Sequence, residues 1–286
     1  MSTFKFNFSN DGDATKDKIE ESNEHIVWLE CEEIIPNKQI EDIEELLAHA
    51  RMFACGDVEI GHVVASEALS EMYTTDSEFK NAVELAEKEH KDLVAGKYEG
   101  GLKIWECTYD LIEYVDNQTG IQFENKKVLD LGCGAGILGI YTLLKDALVT
   151  FQDYNKEILE CVTIPNVLLN IEENEKALDI SKCKFYSGDW ASFNSKLADT
   201  EVFDIILTSE TIYNTTNYDK LIDLFVKRLS KDGEVYVAAK TCYFGVGGGT
   251  RQFEASLEKN GLLESQVCWK STGGILREIL KLTKKT

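Results

Sequence analysis

A chain of 286 residues with 43% apolar content can bury a full core as one large domain with an extension. Its formal net charge of −21 argues against tight binding through nucleic-acid phosphates and favours a basic protein as partner. The eight cysteines all lie at least 22 residues apart and form no C-x-x-C, which argues against a zinc site and fits reduced intracellular thiols. No apolar run approaches a membrane span, and the start lacks the apolar stretch of a secretion signal.

Residues 1–24 are polar and acidic and read as a disordered tail. Residues 25–100 read as an extension that packs on or near the main domain. Residues 1–100 together hold 24 acids against 9 bases. Within the extension, "HIVWLECEEI" reads as a strand, "QIEDIEELLAHARM" as a helix, and 77–95 as a charged helix. After Gly100-Gly101 the pattern changes, and residues 101–286 form the main domain. "KIWECTYDLIEYVD" is an amphipathic helix. Strands "KKVLDL", "LVTFQDY", "KCKFYSG", "VFDIILTS" and "GEVYVAA" then alternate with helices from Ala135, over Lys156–Asn170, over Thr216–Leu229 and over 250–260. "GLLESQVCW" and "ILREILKLTK" close the chain as two successive strands. The alternation predicts an α/β fold, a doubly wound, Rossmann-like sheet covered on both faces. The final pair predicts an antiparallel edge, which suits a seven-strand methyltransferase sheet. Pro165 should kink or divide its helix.

"VLDLGCGAGILG" carries two overlapping patterns, G-x-G-x-G from Gly132 through Gly134 to Gly136, and G-x-G-x-x-G from Gly134. The second alone would serve a dinucleotide or a plain strand-to-helix turn. Glycines there permit a tight turn and close backbone approach, and Asp130 could orient the loop. Asp153, at the end of the second strand, can accept both ribose hydroxyls of either kind of cofactor, or cap the following helix. The third strand ends "SGDW". There Asp189 can meet an adenine amino group while Trp190 stacks, or the two can be a loop acid and a core tryptophan. Asp130, the glycines, Asp153 and Asp189 fall at successive strand ends, and together they favour S-adenosylmethionine.

The fourth strand ends "TSETIYN", beside the expected sulfonium. Glu210 could hold the N–H of an acceptor and favour a cationic product, or cap the next helix; Tyr213 could shape the acceptor slot. A neutral imidazole, with pKa near ~6.5, is ready to attack at pH 7, whereas lysine, near ~10.4, needs deprotonation. The four histidines, His25, His49, His62 and His90, all precede residue 100, so the main domain has neither a histidine base nor a Ser-His-Asp triad. Trp105, Glu106 and Cys107 start a helix that could close over the cofactor. "CYFGVGGGTRQF" reads as a substrate lid or a flexible loop, and lacks the G-K-[ST] of a P-loop.

In this order, "YEGGLKIWECTYDL", "VLDLGCGAGILGI", "FQDYN", "SGDW", "ILTSETIYN" and "YFGVGGGT" resemble the histidine protein methyltransferase 1 family over roughly residues 90–286. The resemblance implies S-adenosylmethionine-dependent methylation of the tele nitrogen of a histidine in a basic large-subunit ribosomal protein, number three of that subunit. Carried over by motif, it implies cofactor contacts from Ile104, Trp105, Glu106, Cys107 and Thr108, from Gly132, from Gln152, Asp153 and Tyr154, from Gly188, Asp189 and Trp190, and from Ser209. It also implies a monomeric enzyme of cytoplasm and nucleus, with no membrane association and no sequence-specific nucleic-acid binding. Related lysine methyltransferases carry aspartate-x-x-tyrosine where this chain has Glu210-Thr-Ile-Tyr213. The alternatives are a lysine methyltransferase, an NAD-dependent oxidoreductase using "GAGILG", and a non-catalytic scaffold for ribosome assembly.

Overall fold

A computed structural model describes residues 28–36, 50–55, 58–64, 77–89, 91–118, 120–172 and 179–285. The expected tail over 1–24, most of the expected helix over 39–52, and His25, His49 and His90 lie outside the described residues. Within them, the expected first strand is reduced to Glu32–Glu33 (β1). Arg51 and Met52, expected to end a helix, instead open a strand. Arg51–Cys55 (β2) pairs antiparallel with Val58–His62 (β3), setting Arg51 opposite His62. Contacts far along the chain override the local spacing here. Phe53 packs edge-on against Tyr109, and the backbone N–H groups of Gly61 and Val63 donate to the side chains of Asn170 and Asn166. Ser77–Lys88 (α1) is the charged helix expected from 77, ending seven residues early.

The main run follows its predicted order, apart from a helix at Trp190–Lys196 that the sequence reading does not place. Glu106–Asp116 (α2) leads to Lys127–Leu131 (β4), Ile137–Leu144 (α3) and Leu148–Asp153 (β5). The next helix starts at Lys156–Ile158, passes through a π turn at Leu159–Thr163 and continues as Ile164–Glu172 (together α4). Pro165 has no N–H to give to the preceding turn. The π turn ends just before it, which is the division its presence predicted. Then come Cys183–Ser187 (β6), Trp190–Lys196 (α5), Phe203–Ser209 (β7), Tyr218–Arg228 (α6), Leu229–Lys240 (β8), Thr250–Asn260 (α7), Leu263–Lys270 (β9) and Arg277–Lys284 (β10).

The strand order is β1-β6-β5-β4-β7-β8-β10-β9. β6, β5, β4, β7 and β8 are parallel, and β10 runs antiparallel between β8 and β9. This is the seven-strand doubly wound sheet, with β1 added antiparallel to β6 as an eighth strand. Side-chain alternation splits each strand between two apolar layers. Val128, Val149, Phe151 and Phe185 pack with Leu111, Ile140 and Val167 of α2, α3 and α4. Leu129, Leu131, Ile206 and Val237 pack with Phe193, Leu221, Phe225 and Phe253 of α5, α6 and α7. Strand order turns around at β4, so a crevice opens at the carboxyl ends of β4, β5, β6 and β7. No helix among the described residues is long and apolar enough to cross a membrane.

Candidate active site

The crevice is an open cavity of about 780 Å³, counted out to solvent. Its floor is the loop after β4. Gly134 has φ +50, a left-handed value, and a side chain there would meet the Gly101 carbonyl oxygen at 3.1 Å. The Gly134 N–H donates to Asp153 Oδ2 at 2.8 Å, and its carbonyl accepts from the Thr163 hydroxyl of the π turn at 2.6 Å. Asp130 stands behind this loop and does not line the cavity. Its Oδ2 accepts from the Gly139 N–H at 2.8 Å, tying α3 to β4, and burial pushes its carboxyl up to about 8. Gly136 is the left-handed N-cap of α3 and also lies off the cavity.

Asp153 ends β5 and lines the cavity beside Tyr154. Its second oxygen accepts from the Asn155 N–H at 3.1 Å, so it steadies the next helix as well as the glycine loop. Each carboxylate oxygen retains a further lone pair for a ribose hydroxyl. Gln152 is fully buried and lies off the cavity, where it orients the turn between β6 and α5. Its side chain donates to the Gly188 carbonyl at 2.8 Å and accepts from Trp190 Nε1 at 3.0 Å. Gly188 has φ +104, and a Cβ there would lie 2.5 Å from the Glu30 carbonyl oxygen of the chain entering β1. Asp189 accepts from the Ala191 N–H at 2.9 Å, capping α5, and from Lys220 Nζ at 2.5 Å. Lys220 lies 3.3 Å from the centroid of the Trp28 ring, and Trp28 lines this end of the cavity with Tyr154, Gly188, Asp189 and Trp190.

At the other end, α2 starts at Glu106 with Trp105 as its N-cap. That phase decides which of residues 104–108 face the cavity. Ile104, Trp105 and Thr108 line it, with the Thr108 hydroxyl 3.0 Å from that of Ser209. Glu106 turns to solvent, with Arg277 at 3.6 Å. Cys107 turns into the core, where burial and the neighbouring Glu210 push its thiol far up.

Glu210 and Tyr213 both line the cavity. Glu210 has φ +59 and its side chain is 4% exposed; the Cys107 thiol and the Tyr243 phenol both stand against its carboxylate, whose charge adds to burial in pushing both groups up. The nearest cation is Lys240 Nζ, 3.6 Å from Oε1. The Tyr213 hydroxyl donates to Glu99, whose other oxygen accepts from the Gly96 N–H at 2.6 Å. Burial, then the charge of Glu99, holds the Tyr213 phenol well above its ordinary value. Burial does the same for Tyr243, whose ring stands edge-on to Tyr213. Sequence spacing does not single out Trp28, Glu99, Lys220 or Lys240. Only Glu99, next to Gly100-Gly101, has a local signal.

These parts fit S-adenosylmethionine. Asp153 could accept a ribose, Trp28, Tyr154 and Trp190 with Asp189 could hold an adenine, and Gly134 puts no side chain between the backbone and the cavity. A doubly wound seven-strand sheet with this site defines a class I S-adenosylmethionine-dependent methyltransferase. Residues 80–246 match the family model described as lysine methyltransferase. The chain is 35% identical to the histidine protein methyltransferase 1 homolog of Rattus norvegicus over 93% of this chain and 75% of that one. It is 36% identical to the Bos taurus homolog over 92% and 73%, and 45% identical to the Dictyostelium discoideum homolog over 68% and 61%. A solved TehB-like methyltransferase from Corynebacterium glutamicum overlays with a TM-score of 0.45 at 16% identity, covering 72% of this chain and 99% of that one. The chain belongs to the histidine protein methyltransferase 1 family, and S-adenosylmethionine is its cofactor.

Asp153 gives the cofactor site a pH dependence. Burial pushes its carboxyl up to about 6. The ionised form is the better acceptor for ribose hydroxyls, so affinity should be full well above pH 6, about half lost near it, and fall further as the group protonates. Cofactor Kd should rise roughly tenfold between pH 7 and pH 5. Asp153→Ala removes charge-assisted bonds of roughly 1.5–3 kcal/mol each, so it should weaken binding at least tenfold and flatten this pH profile. Calorimetry at both pH values checks this; unchanged affinity in the variant would remove Asp153 from the site.

Proposed function

We propose that this protein methylates histidine in a protein, at the tele nitrogen, and that its substrate is the basic large-subunit ribosomal protein number three. The observation that carries the reading is the Glu210 carboxylate, buried at the wall of the cavity with the Cys107 thiol, the Tyr243 phenol and the Lys240 ammonium behind it. A carboxylate has acceptor sites for several donors, and the pros N–H of a substrate imidazole can fill a further one. With that N–H held, the tele nitrogen presents its lone pair on the far side of the ring.

S-adenosylmethionine supplies an activated methyl group on a sulfonium. The chain's own task is then placement and exclusion of water. Asp153 and the glycine loop fix one partner; Glu210 orients the other and favours the positive charge that reaches the ring. The Glu99–Tyr213 pair borders the slot. An imidazole near pKa ~6.5 is largely neutral at pH 7 and needs no base. A lysine acceptor needs one, and the nearest phenols, Tyr213 and Tyr243, are held protonated. His62, the histidine among the described residues, lies on β3 with its ring against the Val63 carbonyl, away from the cavity. The names of the relatives point to histidine as well.

On this reading the enzyme works as a monomer in cytoplasm and nucleus, and its net charge of −21 suits a basic substrate. The test is methyl transfer to the ribosomal protein and to peptides that differ only in carrying histidine or lysine at the acceptor position. Tele-methylhistidine should form, as resolved by tandem mass spectrometry against both methylhistidine isomers. Transfer to lysine alone would overturn the reading.

A further inference from the structure

Lys240 ends β8 behind the cavity wall formed by Glu210 and Trp105, with its side chain 18% exposed. Its ammonium lies 3.6 Å from Glu210 Oε1, 5.3 Å from the centroid of the Trp105 ring and 5.6 Å from that of Tyr243. Glu210 and Trp105 are themselves cavity wall. Two aromatic faces and a buried carboxylate around an ammonium form the arrangement by which proteins recognise a cationic side chain. Here the chain's own lysine fills it.

We propose that Lys240 is a specificity-determining residue, a resident cation that bars protonated lysine from the acceptor slot and leaves it open to neutral imidazole. This rests on the histidine reading above and goes further, since it says why the slot refuses the commoner acceptor. Glu210 alone would make this corner of the cavity negative and attract any ammonium. With Lys240 beside it, the pair is neutral overall. An entering lysine, protonated at neutral pH, then meets a like charge a few ångströms behind the carboxylate, in a place poorly screened by solvent. An imidazole N–H carries no net charge and still finds the carboxylate. Discrimination comes from a repulsive element placed against the wrong partner. Lys240 does not need to touch the histidine to act.

The experiment uses the full chain with S-adenosylmethionine and two peptides identical except for histidine or lysine at the acceptor position. The lysine peptide serves as a competitive inhibitor of histidine methylation. Its Ki is divided by the KM of the histidine peptide, so a general loss of peptide binding cancels. Lys240→Met keeps the aliphatic stem and removes the charge. The ratio should fall at least tenfold in this variant and stay at the wild-type value in Lys240→Arg. Retained cofactor affinity shows that the fold is intact. If the methionine variant does not fold, Lys240→Gln takes its place with the same expected fall. A wild-type ratio in a folded variant without the charge would overturn the inference while leaving histidine methylation standing. Methyl transfer by the unaltered enzyme to both peptides would overturn this inference, and transfer to lysine alone would overturn the histidine reading with it.

Discussion

Glu210→Gln should lower the single-turnover methylation rate by roughly a hundredfold or more, the scale of losing one preorganised electrostatic contact. The substitution keeps length and shape. The backbone need not change, because glutamine meets the same constraint as glutamate at φ +59, and the Glu210 N–H still donates to the Ala238 carbonyl at 2.9 Å. What changes is the acceptor. A carboxamide offers one oxygen and an NH₂, and the NH₂ facing the imidazole N–H would set donor against donor. It also leaves the Lys240 ammonium without its counter-charge. Cofactor affinity should change little, since Asp153 and Gly134 lie on other loops. Equilibrium binding of S-adenosylmethionine and rapid-quench methyl transfer separate the two effects. Wild-type turnover would sink the role assigned to Glu210. Joint loss of binding and turnover would move it to the cofactor side.

Gly134→Val should abolish cofactor binding in a protein that still folds. Valine is branched at Cβ, and φ +50 is a region it rarely adopts. Its Cβ would also meet the Gly101 carbonyl oxygen at 3.1 Å. The loop must therefore move. It carries the N–H that fixes Asp153 at 2.8 Å, so the ribose acceptor loses its orientation as the floor of the cavity rises. The damage is local, because Gly134 is only half-buried and lines the cavity. Circular dichroism should show native secondary structure, while calorimetry detects no binding up to concentrations roughly a hundredfold above the wild-type Kd. Normal affinity in the valine variant would mean that the cofactor lies elsewhere.

The parallel sheet was legible because its signal is short-range. Apolar runs such as "VFDIILTS", bounded by turn residues, name their own strand, and strand ends name the cavity. The cofactor loop was legible for the same reason, since Gly132, Gly134 and Gly136 act within five residues of one another. Residues 104–108 were legible as a bordering segment, but their phase was not. Which of them face the cavity depends on α2 starting at Glu106, and no capping side chain marks that start. The Glu99–Tyr213 bond joins positions 114 apart, and Lys220 meets Trp28 across most of the chain. Lys240 faces Glu210 only because β7 and β8 pair side by side. Spacing along a chain carries no record of such meetings. The β2–β3 hairpin failed in the same way, being held by Asn166 and Asn170 of a distant helix.

The pairing of β1 with β6 reaches beyond the cavity. Without it, β6 would end the sheet as a row of unpaired backbone donors and acceptors, a template for any loose strand nearby. Two residues answer that hazard. Glu32 and Glu33 pair with Ser187 and Tyr186, and their exposed carboxylates, that of Glu32 held by Lys156 at 3.2 Å, make the new border polar and charged. A further strand approaching that side would have to draw its backbone up against charged side chains. The segment matched by the family model, 80–246, leaves out β1 on one flank and β9 and β10 on the other. A fragment cut to those bounds would expose both margins of the sheet at once, inviting aggregation as well as losing Trp28 from the cavity wall.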